Sequence, residues 1–350
     1  MIYKIGTEES KRYDALKALM CLFVLFIHGF SQQYAGKVSG TKWWLYQITF
    51  TVSRILCDCA VPVFMLISSV MLFSKPFRWW QNVKKKFRSL VIPYLIFNSL
   101  WIVVVLCGRF LSRKLGVGAL DIVNFDTRSP MGWVNAYLGF GGKPALTVLW
   151  YVRDLIILNL LAVPIKKLVD WLPIPMLILT IVMWFVGVPI PVLGGYSLVA
   201  FIAGYYLVKY GLHLEDLDRK LKPCLMTAVF GALLLADILL KRKNIYVHNG
   251  FILLAVVFYL RFSSKLLRFE KPVKIIAPAG FFIYLTHLFV YVVLKALIGD
   301  SFYVYFGTYF LLPAVALGVL LSVFYLLRRF LPGLLTVLVG GRKPTAAGRR

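Results

Sequence analysis

The strongest constraint on this chain is a succession of apolar stretches, each near the roughly 20 mostly apolar residues that a helix needs to cross a bilayer. Ten can be marked, at approximately 15–33, 49–73, 89–107, 147–165, 174–188, 190–208, 223–240, 249–262, 275–298 and 306–327. No soluble core absorbs so much apolar sequence. Hydrophobic residues are 60% of the 350 and the mean hydropathy is +0.80, against an apolar share of about 45–50% in soluble domains. The expected fold is therefore an all-α integral membrane protein of about ten transmembrane helices, in one polytopic domain over 1–350. The fifth and eighth segments are short, and VPIP at 188–191 leaves room only for a sharp turn between the fifth and sixth. Residues 330–340 (FLPGLLTVLVG) are too short to span and are expected to lie at the interface, followed by a basic tail.

Charge orients these segments. The chain carries 40 Lys+Arg against 14 Asp+Glu, a net charge of +26. With the N-terminus inside, 26 of the 40 basic residues fall on the cytoplasmic side, ten on the other and four within spans. That bias predicts both termini in the cytoplasm, although Lys241, Arg242 and Lys243 fall on the opposite side. It also accounts for the basicity without a nucleic-acid partner. The five cysteines lie in or beside apolar runs. Cys57 and Cys59 would diverge by about 200° on a helix, so neither a disulfide framework nor a metal site is expected. No cleavable signal peptide is expected, because the N-terminus is polar and no small-residue cleavage site follows the first apolar run.

Ionisable residues within spans are costly and point to function. They are Lys17 and His28 in the first span, Arg54 and Asp58 in the second, Arg153 and Asp154 in the fourth, Asp237 in the seventh, and His287 and Lys295 in the ninth. His213 and His248 are expected in loops. Lys17 and His28 are eleven positions apart, so on a helix they share a stripe to within about 20° and stand about 16 Å apart along the axis. Such a stripe suits a ligand with an anionic end and a reactive end; a snorkelling lysine and a helix-bridging histidine are the alternative. Arg54 and Asp58, spaced i,i+4, are expected to pair. Arg153 and Asp154 point about 100° apart and would need partners on other helices. Asp237 is expected to cap Lys241 or Arg242. The stretch SKPFRWWQNVKKKFR (74–88) fits either an interfacial anchor of basic residues beside tryptophans or a phosphate seat.

Several motifs, in order, are similar to one family. RYDALKALMCLFVLFIHGF (12–30) resembles the first helix of the membrane acyltransferase 3 family, with its Arg/Lys-x10-His motif on Lys17 and His28. VPVFMLISSVML (61–72) is similar to its second-helix stretch, with Ser69 where the family has a serine–glycine arrangement. KKKFRSLVIPYLIF (84–97) resembles the basic Arg-x-x-Arg block, here Lys85 and Arg88. LWYVRDLIILNLL (149–161) and GFFIYLTHLFVYVVL (280–294) resemble two later helices. The resemblance covers residues 12 to about 294, and no further periplasmic esterase-like domain is expected.

The resemblance implies a multi-span enzyme of the bacterial cytoplasmic membrane. It would move an acetyl or similar acyl group from cytoplasmic acetyl-CoA, as co-substrate and without a metal, to a hydroxyl of a sugar or polysaccharide precursor. His28 would act as general base or as a transient acyl-imidazole nucleophile. Lys17 would orient the donor, and Lys85 and Arg88 would hold the CoA phosphates. His287, Arg153, Trp150 and Ser69 would serve the acceptor or the oxyanion, with Trp150 and Tyr151 either stacking on a sugar or packing in the core. Two other classes compete: a transporter or flippase, and a non-catalytic scaffold of a polysaccharide assembly complex. Glycan acylation by purified protein separates the first, and dispensable Lys17 and His28 would mark the second.

Overall fold

The computed structural model describes residues 3–76, 78–115, 125–140, 142–187, 190, 192–299 and 301–341. Regular structure among them is helical, apart from one isolated bridge between Ile190 and Leu193. The helices are α1 (Thr7–Gly29), α2 (Gly40–Thr51), α3 (Ala60–Phe73), α4 (Trp79–Lys86), α5 (Ile92–Leu115), α6 (Pro130–Leu138), α7 (Trp150–Leu160), α8 (Ala162–Trp171), α9 (Pro173–Val186), α10 (Gly195–Lys209), α11 (Leu214–Lys220), α12 (Pro223–Leu239), α13 (Ile245–Leu266), α14 (Glu270–Ile298), α15 (Phe302–Tyr309), α16 (Leu311–Phe330) and α17 (Pro332–Leu338). The turn expected at VPIP and the basic end of the tail lie mostly or wholly outside the described residues.

Four continuous helical stretches among them are long and apolar enough to cross a membrane: Gly40–Phe73, Trp79–Lys114, Ile245–Ile298 and Leu311–Phe330. Two bent pairs, α7 with α8 (62°) and α10 with α11 (86°), raise the number to six. The expected ten exceeds this. α9 has 14 residues and spans about 21 Å, short of the roughly 30 Å hydrocarbon thickness. The breaks have identifiable causes. Pro164 cannot donate to the carbonyl of Leu160, and that carbonyl instead accepts the indole N–H of Trp79 at 3.1 Å. Gly211, at φ +62°, supplies the left-handed residue that turns α10 into α11.

α1 runs through the centre of the bundle, against α3, α13, α14 and α16. Its first half is tied down by charge. Arg12 is almost fully buried and donates to Asp218 (2.8 and 3.0 Å), Ser263 Oγ (2.8 Å) and the Leu260 carbonyl (3.2 Å). The buried Glu9 accepts from Tyr3 and Tyr13 and faces His213 Nδ1 at 2.9 Å. α3 and α10 pack closest where a Cβ on Gly204 would stand 2.5 Å from the Leu66 carbonyl oxygen. Ser69 donates to the Phe201 carbonyl there at 2.6 Å.

Several expectations from spacing are corrected. The segment 49–73 is not one regular helix: a π-helical turn at Val52–Leu56 and a turn at 57–59 interrupt it. That break abolishes the i,i+4 geometry of Arg54 and Asp58. Asp58 pairs instead with Arg242 Nη2 (2.5 Å) and His248 Nε2 (3.2 Å). His248 is not in a loop but in the first turn of α13, buried, with Nδ1 2.7 Å from Asp237. Asp237 is fully buried on that histidine rather than capping a basic side chain. His213 caps the start of α11. Arg153 and Asp154 pair with each other after all, at 3.1 Å, because the long arginine side chain folds back across the turn.

Candidate functional site

On α1, Lys17, Cys21, Val24 and His28 recur at i, i+4, i+7 and i+11, one helical stripe. Ala277, Gly280, Phe281, Tyr284 and His287 form the facing stripe of α14. The helices come close at Gly280, where a Cβ would meet Cys21 Sγ at 3.1 Å. Beside this seam lies a cavity of about 390 Å³, walled by Lys17 and Cys21 of α1, by the α14 stripe from Ala277 to Tyr284, by Phe64, Ile67, Ser68 and Met71 of α3, by Tyr151 of α7 and by Lys86. Lys17 Nζ is held 2.7 Å from Asp14 Oδ1. Ser68 and Tyr151 share a hydrogen bond of 3.3 Å across the cavity. Pro278, inside α14, lines the cavity and also an adjoining groove of about 700 Å³ between the starts of α1 and α14. Such a proline removes one backbone bond from the helix wall.

Cys21, Phe64 and Tyr284 also line, with Val24 and Ile283, a second and much smaller space that leaves no room for a water molecule. One turn beyond, the rings of His28 and His287 lie 4.8 Å apart between centroids, inclined at 54°. His287 is fully buried. Its Nδ1 lies 3.1 Å from the Ile283 carbonyl. A carbonyl only accepts, so Nδ1 carries the hydrogen and Nε2 keeps its lone pair. That Nε2 is buried with no hydrogen-bond partner among the described residues, an arrangement that folded proteins rarely leave without a purpose. His28 is half-buried.

A separate cleft of about 260 Å³ is lined by Trp150, Arg153, Phe140, Lys143 and residues 192–194. Its position is fixed through α5. Asn98, fully buried, donates to the Ala136 carbonyl (2.8 Å) and accepts from the Leu146 N–H (2.9 Å). Tyr94 donates to the Tyr137 carbonyl. Arg153 is occupied by Asp154 and by the carbonyls of Gly139 (2.9 Å) and Gly142 (3.0 Å). Its guanidinium therefore shapes the cleft rather than standing ready for a developing charge. Asp154 accepts from Gly194 N–H (2.9 Å) and Ser197 Oγ (2.8 Å).

Lys17 and His28 thus share one stripe of α1, His28 meets His287, and Trp150 and Arg153 line a separate cleft. Lys85 and Arg88 are exposed, outside the cavity; the neighbouring Lys86 lines it. Ser69 belongs to the α3–α10 contact, and the adjacent Ser68 faces the cavity. Lys86 belongs to the phosphate seat expected over 74–88, although the family motif singled out Lys85 and Arg88; sequence reasoning missed Ser68 and Tyr284, whose hydroxyl donates to the Val148 carbonyl. The spacing of Phe64, Ile67, Ser68 and Met71 was the available signal, since it marks one face of α3. Among the described residues no group of three or more His, Cys, Asp or Glu side chains is arranged to hold a metal ion.

The cavity holds two lysines beside the helices that carry the histidine pair, and the cleft is lined by Trp150 and Arg153. The chain is 25% identical to the succinoglycan biosynthesis protein ExoH of Rhizobium meliloti (strain 1021) over 95% of its own length and 92% of that protein. No solved structure matches. The acyltransferase 3 model, described as an acyltransferase domain, matches residues 10–329, and the chain belongs to that family.

Proposed function

We propose that the chain is a membrane O-acyltransferase that moves an acetyl or similar acyl group from cytoplasmic acyl-CoA to a hydroxyl of a cell-surface polysaccharide precursor. The observation that carries this reading is the meeting of His28 and His287 on the two helices, α1 and α14, that also wall the Lys17–Lys86 cavity. The thioester arm would enter the cavity, with Lys17 and Lys86 near its anionic part and Lys85 and Arg88 guiding the phosphates outside. The acceptor sugar would stack on Trp150 in the cleft. His28 takes the proton of the attacking hydroxyl, the oxygen bonds to the thioester carbonyl carbon, and the carbon–sulfur bond breaks. The proton then returns to the departing CoA thiolate. The unprotonated Nε2 of His287 lets the second imidazole share or relay that proton. The similarity to a succinoglycan biosynthesis protein supports a polysaccharide acceptor, and the apolar helices support a membrane site, proposed as the bacterial cytoplasmic membrane.

The test is surface-glycan mass spectrometry of a His28→Ala strain with normal membrane levels of the protein. A positioned base is worth about 10²–10⁴-fold, so acylation should fall below detection. Wild-type acylation in that strain would end the assignment.

A further inference from the structure

Most walls of the Lys17–Lys86 cavity come from α1, α3 and α14, but two come from the last part of the chain: Phe324 of α16 and Val339, just after α17. Val339 lies beyond residue 329, where the match to the family ends. It is nonetheless buried, in one apolar cluster with Leu335, Phe324 and Phe282. Backbone holds it there. Its N–H donates to the Leu335 carbonyl at 2.9 Å. Gly340 follows in the left-handed region, at φ +71°, and a Cβ on it would stand 2.4 Å from Ser89 Cα. Only glycine suits both that conformation and that approach. Ser89 lies in the π-helical turn Phe87–Val91, which directly follows Lys86. The chain's last described turn is thus fastened to the segment that carries a cavity lysine. Ligand pockets combine apolar walls with a few placed polar groups. Here the polar groups are Lys17, Lys86, Ser68 and Tyr151, and Val339 and Phe324 are apolar walls. Such a lining fits the arm of coenzyme A between thioester and phosphates, which is uncharged and alternates amides with hydrocarbon.

We infer that Val339 is a donor-binding residue, and that the turn after α17 completes the wall against which the arm of the acyl-CoA lies. The inference rests on the proposed acyl transfer for the identity of the donor. It places part of the donor seat outside the stretch matched to the family, with Gly340 as the positioning residue that keeps Val339 in the wall.

The test reads occupancy of the cavity without requiring transfer. Val339→Cys is made in the purified full chain in detergent, with the exposed Cys107 and Cys224 changed to serine. A small methanethiosulfonate modifies it with and without desulfo-coenzyme A, which carries the arm but no thiol, and modification at residue 339 is followed by mass spectrometry. Saturating desulfo-coenzyme A should slow that modification about tenfold or more, and an unchanged rate overturns the contact. In steady-state kinetics Val339→Trp should raise the KM for acetyl-CoA about tenfold or more with kcat little changed, because the larger ring takes the arm's space. Val337→Trp, on the exposed side of α17, should leave the KM as it is. An unchanged KM in Val339→Trp, or an equal rise in both variants, also overturns the contact. Should the tryptophan variant fail to fold, the labelling decides. Protection without transfer from acetyl-CoA to a glycan would sink the proposed reaction and leave the contact standing. Transfer without protection would remove the contact alone.

Discussion

Lys85 and Lys86 are neighbours in the chain but point about 100° apart on α4, and only Lys86 reaches the cavity. Lys86→Ala should raise the KM for acetyl-CoA about tenfold with kcat little changed, the pattern of a lost binding contact. Steady-state kinetics at varied acetyl-CoA checks it, and an unchanged KM would remove this cavity as the donor seat. Lys85→Ala with Arg88→Ala measures the contribution outside the cavity in the same assay. At this scale the sequence was most legible where the backbone is regular. Lys17 and His28 share a stripe because α1 is unbroken from Thr7 to Gly29. The same arithmetic failed for Arg54 and Asp58 because no propensity marks the π-helical turn between them. It failed for Arg153 and Asp154 because angular spacing ignores the reach of an arginine. The His28–His287 meeting was not legible from spacing, since 259 positions separate them and only packing of α1 on α14 joins them.

Elements hold the site through a few close approaches. α3 contributes one face to the cavity through Ser68 and the opposite face to α10 through Ser69. Gly204 is where those helices touch: a Cβ would stand 2.5 Å from the Leu66 carbonyl oxygen and 2.7 Å from Ser69 Cβ. Backbone cannot yield as a flexible side-chain tip can. Gly204→Ala should therefore cost about 1–3 kcal/mol, the usual range for overpacking, and lower the detergent-solubilised Tm. Ser69→Ala, which removes a single hydrogen bond, should cost about 1 kcal/mol. A glycine variant as stable as wild type would mean that α3 and α10 are not in this register. Hydropathy found most of these helices because length and apolarity are local properties. It missed α11 in what looked like a loop, because that helix is short and charged (LEDLDRK), and its start depends on His213 and Asp216 capping each other's backbone.

At the scale of the whole molecule, the proposed reaction requires the two ends of the path to open on opposite sides of the membrane. The expected bias of basic residues, 26 of 40 on one side, rests on a count over ten spans, and the fold offers four to six among the described residues. Lys85 and Lys143 are both exposed, one beside the donor cavity and the other in the acceptor cleft. Each can report its own side as a single cysteine. Cys107 and Cys224 are exposed and would first become serine, whereas Cys21, Cys57 and Cys59 are buried. A membrane-impermeant thiol reagent should label Lys143→Cys in intact cells with an opened outer envelope, and label Lys85→Cys only in inverted vesicles. Labelling of both from one side would mean that donor and acceptor share a compartment. The acyl group would then have no bilayer to cross, and the net positive charge would not report orientation. Opposite labelling would mean that the acyl group crosses the bilayer within the protein, and would make the His28–His287 pair the place to look for its transfer.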